Sequence, residues 1–279
     1  MVIKNANNMS LDFPSDDLDQ LKKLVRQAAI EELLPDFGKR EFTYKEDHSV
    51  ITKADLAMQK RLETELVQAW PNIAVLGEEM AEADQQAVID SGEAYWCIDP
   101  LDGTNNYAAG IPIFAVSIAL IVHGESVLGL VYDPIRDEMF SACKGEGAFL
   151  NGKKLNVVSS MRHAQRIVAE IEMKRLPQEL ALRLITERPY GSQRNSGSSV
   201  IDWCWLSAGR FDVYLHGGQK LWDYAAGHLI FAEVGGHSVS LDAEPVFRGR
   251  LETRSVFAAQ DVDLFNEWYR WIGIPVQGH

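Results

Sequence analysis

The stretch YWCIDPLDGTNNY, residues 95–107, reads as a buried strand that ends in acid. Tyr95 to Ile98 is an apolar run, and Asp99, Pro100, Leu101, Asp102, Gly103 and Thr104 follow at once. With Pro100 holding a turn, the Asp99 and Asp102 carboxylates and the Leu101 carbonyl are expected to project toward one small volume. Gly103 and Thr104 then open a short helix, whose first N–H groups lack partners within the helix and favour an anion. Clustered hard oxygen ligands suit Mg²⁺ better than zinc. On spacing alone the same residues also suit a tight Asp-Gly turn capped by Asp99. Both readings stand at this level.

Upstream, Leu18, Leu21, Val25 and Ala28 share one face of a helix that starts near Ser15 and stops at Pro35. A second helix begins near Thr52, with Leu62, Leu66 and Ala69 on one face, and stops at Pro71. Residues 73–80, IAVLGEEM, give a short strand that runs into Gly77, Glu78 and Glu79. Downstream, FAVSIALIV (114–122), SVLGLVYD (126–133), EMFSAC (138–143) and AFLNG (148–152) are short β-rich runs separated by turn formers, as in an antiparallel meander. Beyond Leu155 the texture alternates. RIVAEIEM (166–173) reads as a strand, PQELALRLITER (177–188) and SSVIDWCWLSAGR (198–210) as helices, and FDVYL (211–215) as a strand. A helix over 222–236 closes on Gly235 and Gly236. Strands over 237–241 and 255–260 precede a last helix over 262–273. This pattern predicts a layered α/β protein. Residues 1–154 form an α+β half with most of the acids, and residues 155–279 form an α/β half with Asp223 and the specificity loops.

The chain has 279 residues, enough for one large domain or two closely joined lobes. A net charge of −13 repels nucleic-acid phosphates, so no nucleic-acid partner is expected. It repels a small anionic substrate too, unless cations sit at the site. Cys97, Cys143 and Cys204 form no paired framework, which points to a reducing compartment. No leader pattern is evident, and no apolar run approaches the roughly 20 residues that span a bilayer. The expectation is a cytoplasmic protein with no membrane partner. None of the seven histidines has metal-ligand spacing.

The residues now carry a resemblance. DPLDGT after an apolar strand resembles the first signature of the inositol monophosphatase family of Mg²⁺-dependent, lithium-sensitive phosphatases. Trp222-Asp223-Tyr224-Ala225-Ala226-Gly227, followed by AEVGG, resembles the second signature, and Gly77-Glu78-Glu79 resembles the intervening element. Together they cover about Val50 to Gly236. The resemblance implies a layered α-β-α-β-α sandwich of the sugar-phosphatase type and a phosphoric monoester hydrolase acting on an inositol monophosphate-like metabolite through a metal-activated water. It implies two or three Mg²⁺ ions. Glu78, Asp99 and the Leu101 carbonyl hold one, and Asp99 shares another with Asp102 and Asp223. Gly103 and Thr104 offer N–H groups to the phosphate. Asp55 orients the Thr104 hydroxyl and, with Glu78, helps activate the water. A homodimer is also implied. Taken alone, Asp55 suits a helix cap with Thr52, and Asp223 suits a helix-dipole partner. Glu79 is assigned to solvent or structure, and Tyr107 and Trp222 to core packing.

The chain departs from the family pattern at His216, where inositol-binding members carry a glutamate. A neutral imidazole still bonds hydroxyls, whereas a cationic one favours an extra phosphate or carboxylate. Ser199 stands where alanine is usual in a loop, Gly197-Ser198-Ser199, that contacts substrate; Asp223 is a further substrate contact. Arg194, Asn195 and Lys220 flank these positions and suit a second anionic group. Lys45 only approximates the family's upstream lysine. Histidinol phosphate, a sugar bisphosphate and a nucleotide 3′-phosphate are alternative substrates. A non-catalytic regulatory binding protein is the alternative of another class.

Overall fold

The structure, a computed structural model, describes residues 15–45, 48–157 and 166–275. Helix α1 (Ser15–Glu32) buries Leu21, Val25 and Ala28 completely, and a 3₁₀ turn at Leu34–Asp36 takes up Pro35. A two-stranded hairpin, β1 (Thr43–Tyr44) and β2 (Val50–Ile51), leads to α2 (Lys53–Ala69), with Leu62 and Leu66 buried. Next come β3 (Ala74–Gly77), α3 (Glu82–Asp90), β4 (Tyr95–Asp102) and the short α4 (Thr104–Ala109). The expected meander follows as β5 (Ala115–Val122), β6 (Glu125–Asp133), β7 (Glu138–Cys143), β8 (Gly147–Leu150) and β9 (Lys153–Lys154). With β3 parallel to β4 and the rest antiparallel, these make a seven-stranded sheet in the order β3-β4-β5-β6-β7-β8-β9.

The alternating half contains β10 (Val168–Glu172), α5 (Gln178–Glu187), β11 (Ser192–Arg194), α6 (Ser199–Ser207) and β12 (Val213–Gln219). It continues with α7 (Leu221–Val234), β13 (His237–Val239), β14 (Arg254–Ala259) and α8 (Val262–Ile272). Its five-stranded sheet runs β11-β10-β12-β14-β13, with β10, β11 and β12 parallel and β14 antiparallel to its neighbours.

Both sheets are covered on both faces, and successive strand residues sort into different cores. Trp96 and Ile98 pack with Leu21, Val25, Leu62 and Leu66 under α1 and α2. Tyr95 and Cys97 face the other way, toward Trp203, Ala226 and Phe231 of α6 and α7. Tyr214, Val256 and Ala258 of the second sheet close that same middle core. Val213, Leu215 and Phe257 turn outward to α5 and α8. The result is the expected α-β-α-β-α sandwich, with α6 and α7 between the sheets. Gly129 permits the close contact, since a Cβ there would lie 2.7 Å from the Ala226 carbonyl oxygen.

The short strands β1, β2, β9 and β11 lie outside the sequence reading, and three further local differences matter more. Helix α3, made mostly of polar residues, carries little apolar periodicity, which is why it went unrecognised. Strand β12 does not stop at Leu215 but continues through His216, Gly217 and Gly218. Gly217 accommodates neighbouring backbone, because a Cβ there would lie 1.8 Å from the Arg175 carbonyl oxygen. The third difference lies in β4 and shapes the site.

Candidate functional site

The chain does not leave the sheet at Asp99. Strand β4 stays paired with β5 through Asp102, with Asp99 opposite Ser117 and Asp102 opposite Ala115. Three steps along β4 therefore match two along β5, which is a β-bulge. In a regular strand residues i and i+3 face opposite sides. The extra residue changes that parity and brings both acids to one side, and Pro100 fits because it has no N–H to offer the ladder.

Asp99, Asp102 and Asp223 each present an oxygen within 4.8 Å of the others. Asp99 is buried, and one of its oxygens accepts the Leu101 N–H at 3.0 Å. Asp102 reaches across to the start of α6. There Oδ2 accepts the Ser198 hydroxyl and the Val200 N–H, the latter at 2.9 Å. Asp223 enters from the first turn of α7, where Oδ2 accepts the Lys220 N–H at 2.8 Å. Glu78 lines the same cavity from the end of β3, but its Oε1 is paired with Lys45 Nζ at 3.0 Å, outside the aspartate trio. Lys45 also binds Glu79 at 2.6 Å, which gives Glu79 the structural role expected of it. Burial works against the Lys45 charge, yet Glu78 and Glu79 outweigh it and hold the ammonium above the usual lysine range.

Asp55 makes both of the contacts open to it. Its Oδ2 accepts the Thr52 N–H at 2.8 Å and completes a capping box at the start of α2, while Oδ1 accepts the Thr104 hydroxyl at 2.9 Å. That hydroxyl also lies 3.0 Å from the Leu101 carbonyl oxygen. Gly103 is required where it sits. Its φ is +90°, and a Cβ would meet the Ile113 carbonyl oxygen at 2.9 Å.

These groups surround a cavity of about 290 Å³, lined by Asp99, Leu101, Asp102, Gly103, Thr104 and Asp223 and also by Ser199 and His216. A larger open groove of about 500 Å³ along Asp19, Lys22 and Arg26 of α1 contains none of them. Burial dominates the electrostatics. It pushes Asp99 well above the usual carboxylate range, reinforced by Glu78, Asp102 and Asp223. Burial likewise raises Asp223 to about 8, Glu78 to about 7 and Asp102 to about 6, the last against the pull of Ser198 and the α6 N–H groups. Asp55 is raised as well, by burial. Carboxylates gathered out of water with too few cations hold protons or a counter-cation. Their all-oxygen donor set fits a hard divalent ion such as Mg²⁺.

His216 is nearly buried. Its Nδ1 accepts the Gly218 N–H at 3.0 Å, and burial, with the nearby Arg175 charge, lowers the ring to about 3. The imidazole is therefore neutral at physiological pH, and its proton is assigned to Nε2 by that hydrogen bond. Ser199 lies at the start of α6 beside Asp102 and Tyr214 and works against the burial that raises both groups. Arg194 donates to Ser192 Oγ and the Gln193 carbonyl and does not line the cavity. Asn195 lines it, with Nδ2 3.2 Å from Glu172 Oε2. Lys220 and Trp222 line an adjoining cavity, so Trp222 is only partly core, whereas Tyr107 is buried and donates to the Leu33 carbonyl at 2.7 Å. Sequence reading missed Lys174, Arg175 and Asp202, all of which line the cavity; Asp202 also accepts the Ser196 hydroxyl. An acid in the apolar run IDWCWL was the available signal for Asp202. Lys174 and Arg175 gave none, since basic pairs are ordinary on surfaces.

A family model described as "Inositol monophosphatase family" matches residues 15–269. The chain is 34% identical over 198 residues to the protein named Nus factor SuhB from Pasteurella multocida, covering 70% of this chain and 73% of that one. It is 33% identical over 233 residues to a protein of Aquifex aeolicus named fructose-1,6-bisphosphatase/inositol-1-monophosphatase, covering 78% and 86%. The crystal structure of the extragenic suppressor protein suhB from Bartonella henselae superposes with a TM-score of 0.80 at 29% identity, over 94% of this chain and 100% of that one.

Proposed function

The chain belongs to the inositol monophosphatase family, and from that premise we propose that it hydrolyses a small phosphate monoester of inositol monophosphate-like class, with Mg²⁺ as cofactor. The observation that carries this reading is the meeting of Asp99, Asp102 and Asp223 within 4.8 Å, beside a threonine hydroxyl already held by Asp55. Asp99, Asp102, Asp223, Glu78 and the Leu101 carbonyl would hold the metal, as two or three ions. When bound, Mg²⁺ neutralises phosphate charge and lowers the pKa of a coordinated water. The protein's own part is orientation and proton handling. Gly103 and Thr104 present N–H groups to the phosphate at the start of α4. Thr104 donates its proton toward Asp55 Oδ1, which leaves an Oγ1 lone pair to accept a proton from the attacking water. Asp55, raised by burial, is the receiving base, assisted by Glu78. The water oxygen bonds to phosphorus, the ester P–O bond breaks in line with it, and the alcohol leaves with a proton from solvent.

The test is phosphate release from inositol 1-phosphate, histidinol phosphate, fructose 1,6-bisphosphate and 3′-phosphoadenosine 5′-phosphate, with and without Mg²⁺ and then with Li⁺. We expect Mg²⁺-dependent turnover of at least one, and an Asp99→Asn variant that stays folded but loses about 100-fold or more in kcat/KM. No release from any of them by folded protein with Mg²⁺ would overturn the reading.

A second reading rests on the name Nus factor carried by a 34% identical relative: a binding role in regulation. A cellular effect that persists in Asp99→Asn belongs to that role. On the family resemblance we also propose a cytoplasmic homodimer; light scattering on eluted protein checks the dimer and cell fractionation checks the compartment.

A further inference from the structure

Two further buried acids stand outside the chemistry described so far. Glu170 of β10 is fully buried and Asp202 of α6 nearly so. Both meet at Ser196. Glu170 Oε1 accepts the Ser196 N–H at 3.0 Å, and Asp202 Oδ1 accepts the Ser196 hydroxyl. Glu170 Oε2 is buried with no hydrogen-bond partner among the described residues. The Ser196 carbonyl accepts Asn106 Nδ2 at 2.8 Å, and that same amide donates to the Ile113 carbonyl at 2.9 Å. One serine thus ties β10, α6 and α4 together.

These bonds form an oriented chain that ends on Asp102. A hydroxyl has one proton to give. Given to Asp202, it leaves the Ser196 Oγ lone pairs to accept the Ser198 N–H at 3.2 Å. Ser198 is buried, caps α6, and donates its own hydroxyl to Asp102 Oδ2, which also accepts the Val200 N–H at 2.9 Å. Those two donors fix the rotation of the Asp102 carboxylate. Without an acceptor at residue 202 the Ser196 proton would turn to the Ser198 carbonyl, 3.3 Å away, and the tie to α6 would be gone. We propose that Asp202 is a positioning residue: through Ser196 and Ser198 it holds the Asp102 carboxylate in the orientation that binds Mg²⁺, while Glu170 holds the Ser196 backbone. This role rests on the Mg²⁺ reading above and adds to it a residue that acts without touching the metal. What Asp202 supplies is an acceptor rather than a charge, since burial, with Glu170 close by, keeps its carboxyl well above the usual carboxylate range. Asparagine has the same shape and the same Oδ1 acceptor, and should serve in its place.

The test reads Mg²⁺ binding directly, by calorimetric titration of metal-free protein and by the rise in melting temperature on adding Mg²⁺. Neither readout needs a substrate. Asp202→Leu, close in volume but with no acceptor, should weaken Mg²⁺ binding about 10-fold or more, the range for groups that orient metal ligands. Ser196→Ala breaks the same chain with Asp202 in place, and should weaken it in the same direction. Asp202→Asn should keep both the affinity and the melting temperature of wild type. Were Asp202 itself a ligand, Asn would lose as much as Leu while Ser196→Ala bound normally, and positioning would be ruled out. A lower melting temperature with unchanged Mg²⁺ affinity in Asp202→Leu and Ser196→Ala would reduce Asp202 to a packing residue. If Asp202→Leu does not fold, Ser196→Ala against wild type decides the matter alone. Wild-type protein that binds no Mg²⁺ sinks the metal reading itself, whereas binding that all the variants share sinks only the role of Asp202.

Discussion

The two carboxylate oxygens of Asp55 do two jobs. One closes the cap of α2 with Thr52, and the other holds the Thr104 hydroxyl. Sequence reasoning met these as rivals, and the geometry makes them partners. The cap fixes the carboxylate so that its second oxygen lies where the threonine needs it. Thr52→Ala should therefore lower stability by about 1 kcal/mol and cost activity only secondarily. Asp55→Asn keeps a side chain of the same shape but removes the receiving base, and should reduce kcat far more than it reduces the melting temperature. Chemical denaturation and steady-state kinetics on the two variants check this. A Thr52→Ala protein that loses as much kcat as Asp55→Asn would mean that Asp55 acts only through the helix cap. His216 is the residue whose state the sequence left open. Its Nδ1 is occupied by a backbone N–H and its ring is out of water, so it is a neutral donor at physiological pH.

Elements carry these residues to one place, and two close approaches matter most. Strand β4 keeps its pairing through a bulge, which turns an i, i+3 pair of acids onto one side. Helix α7 brings Asp223 from the other half and lies directly on β6 at Gly129. Gly129→Ala would set a Cβ 2.7 Å from the Ala226 carbonyl oxygen, so α7 must shift or the sheet must bend. We expect a loss of about 1–3 kcal/mol, read by urea denaturation, together with weaker Mg²⁺ activation, because the shift moves Asp223. A Gly129→Ala protein of wild-type stability would show that this contact is soft. Apolar spacing made α1, α2 and the meander legible, whereas α6 and α7 are apolar nearly all round, as a layer between two sheets must be, and were legible as apolar runs closed by glycine. It did not reveal α3, which buries little, nor the continuation of β12 through two glycines. There the residue type answers to a neighbouring backbone, and sequence does not display neighbours.

The whole molecule gathers buried acids from the seven-stranded sheet and the middle helix layer, and this has a consequence for stability. Glu78, Asp102 and Asp223 stand at about 7, 6 and 8 in the folded protein without metal, against about 4 in an unfolded chain. Between those values the folded state binds more protons, so stability falls as pH rises. The contribution is complete below about pH 4 and is lost on passing through the folded-state values. A divalent cation replaces the protons and should stabilise most where they have left. In EDTA the site's contribution should therefore decline from pH 5 to pH 8, and the rise in melting temperature on adding Mg²⁺ should be larger at pH 8. Subtracting the EDTA curve at each pH isolates the site from surface carboxylates such as Glu31 and Glu244, whose shifts run the other way. An Mg²⁺ effect equal at both values, or larger at pH 5, would contradict the assignment of these acids to the metal.

The chain by itself determined its layered class, the order of most elements, its family resemblance and the acids at strand and helix ends. These follow from local rules, because apolar period, turn chemistry and short motifs are written in neighbouring residues. Tertiary structure alone decided three things. It set Asp99 and Asp102 on one side, since a bulge exists only against a partner strand. It paired Lys45 with Glu78 and Glu79 across 33 and 34 residues. It placed Arg175 rather than Arg194 on the cavity wall, because which of two basic side chains faces inward depends on packing. Here that packing is a turn held against Gly217 and an anchor on Gly218, contacts between segments more than 40 residues apart.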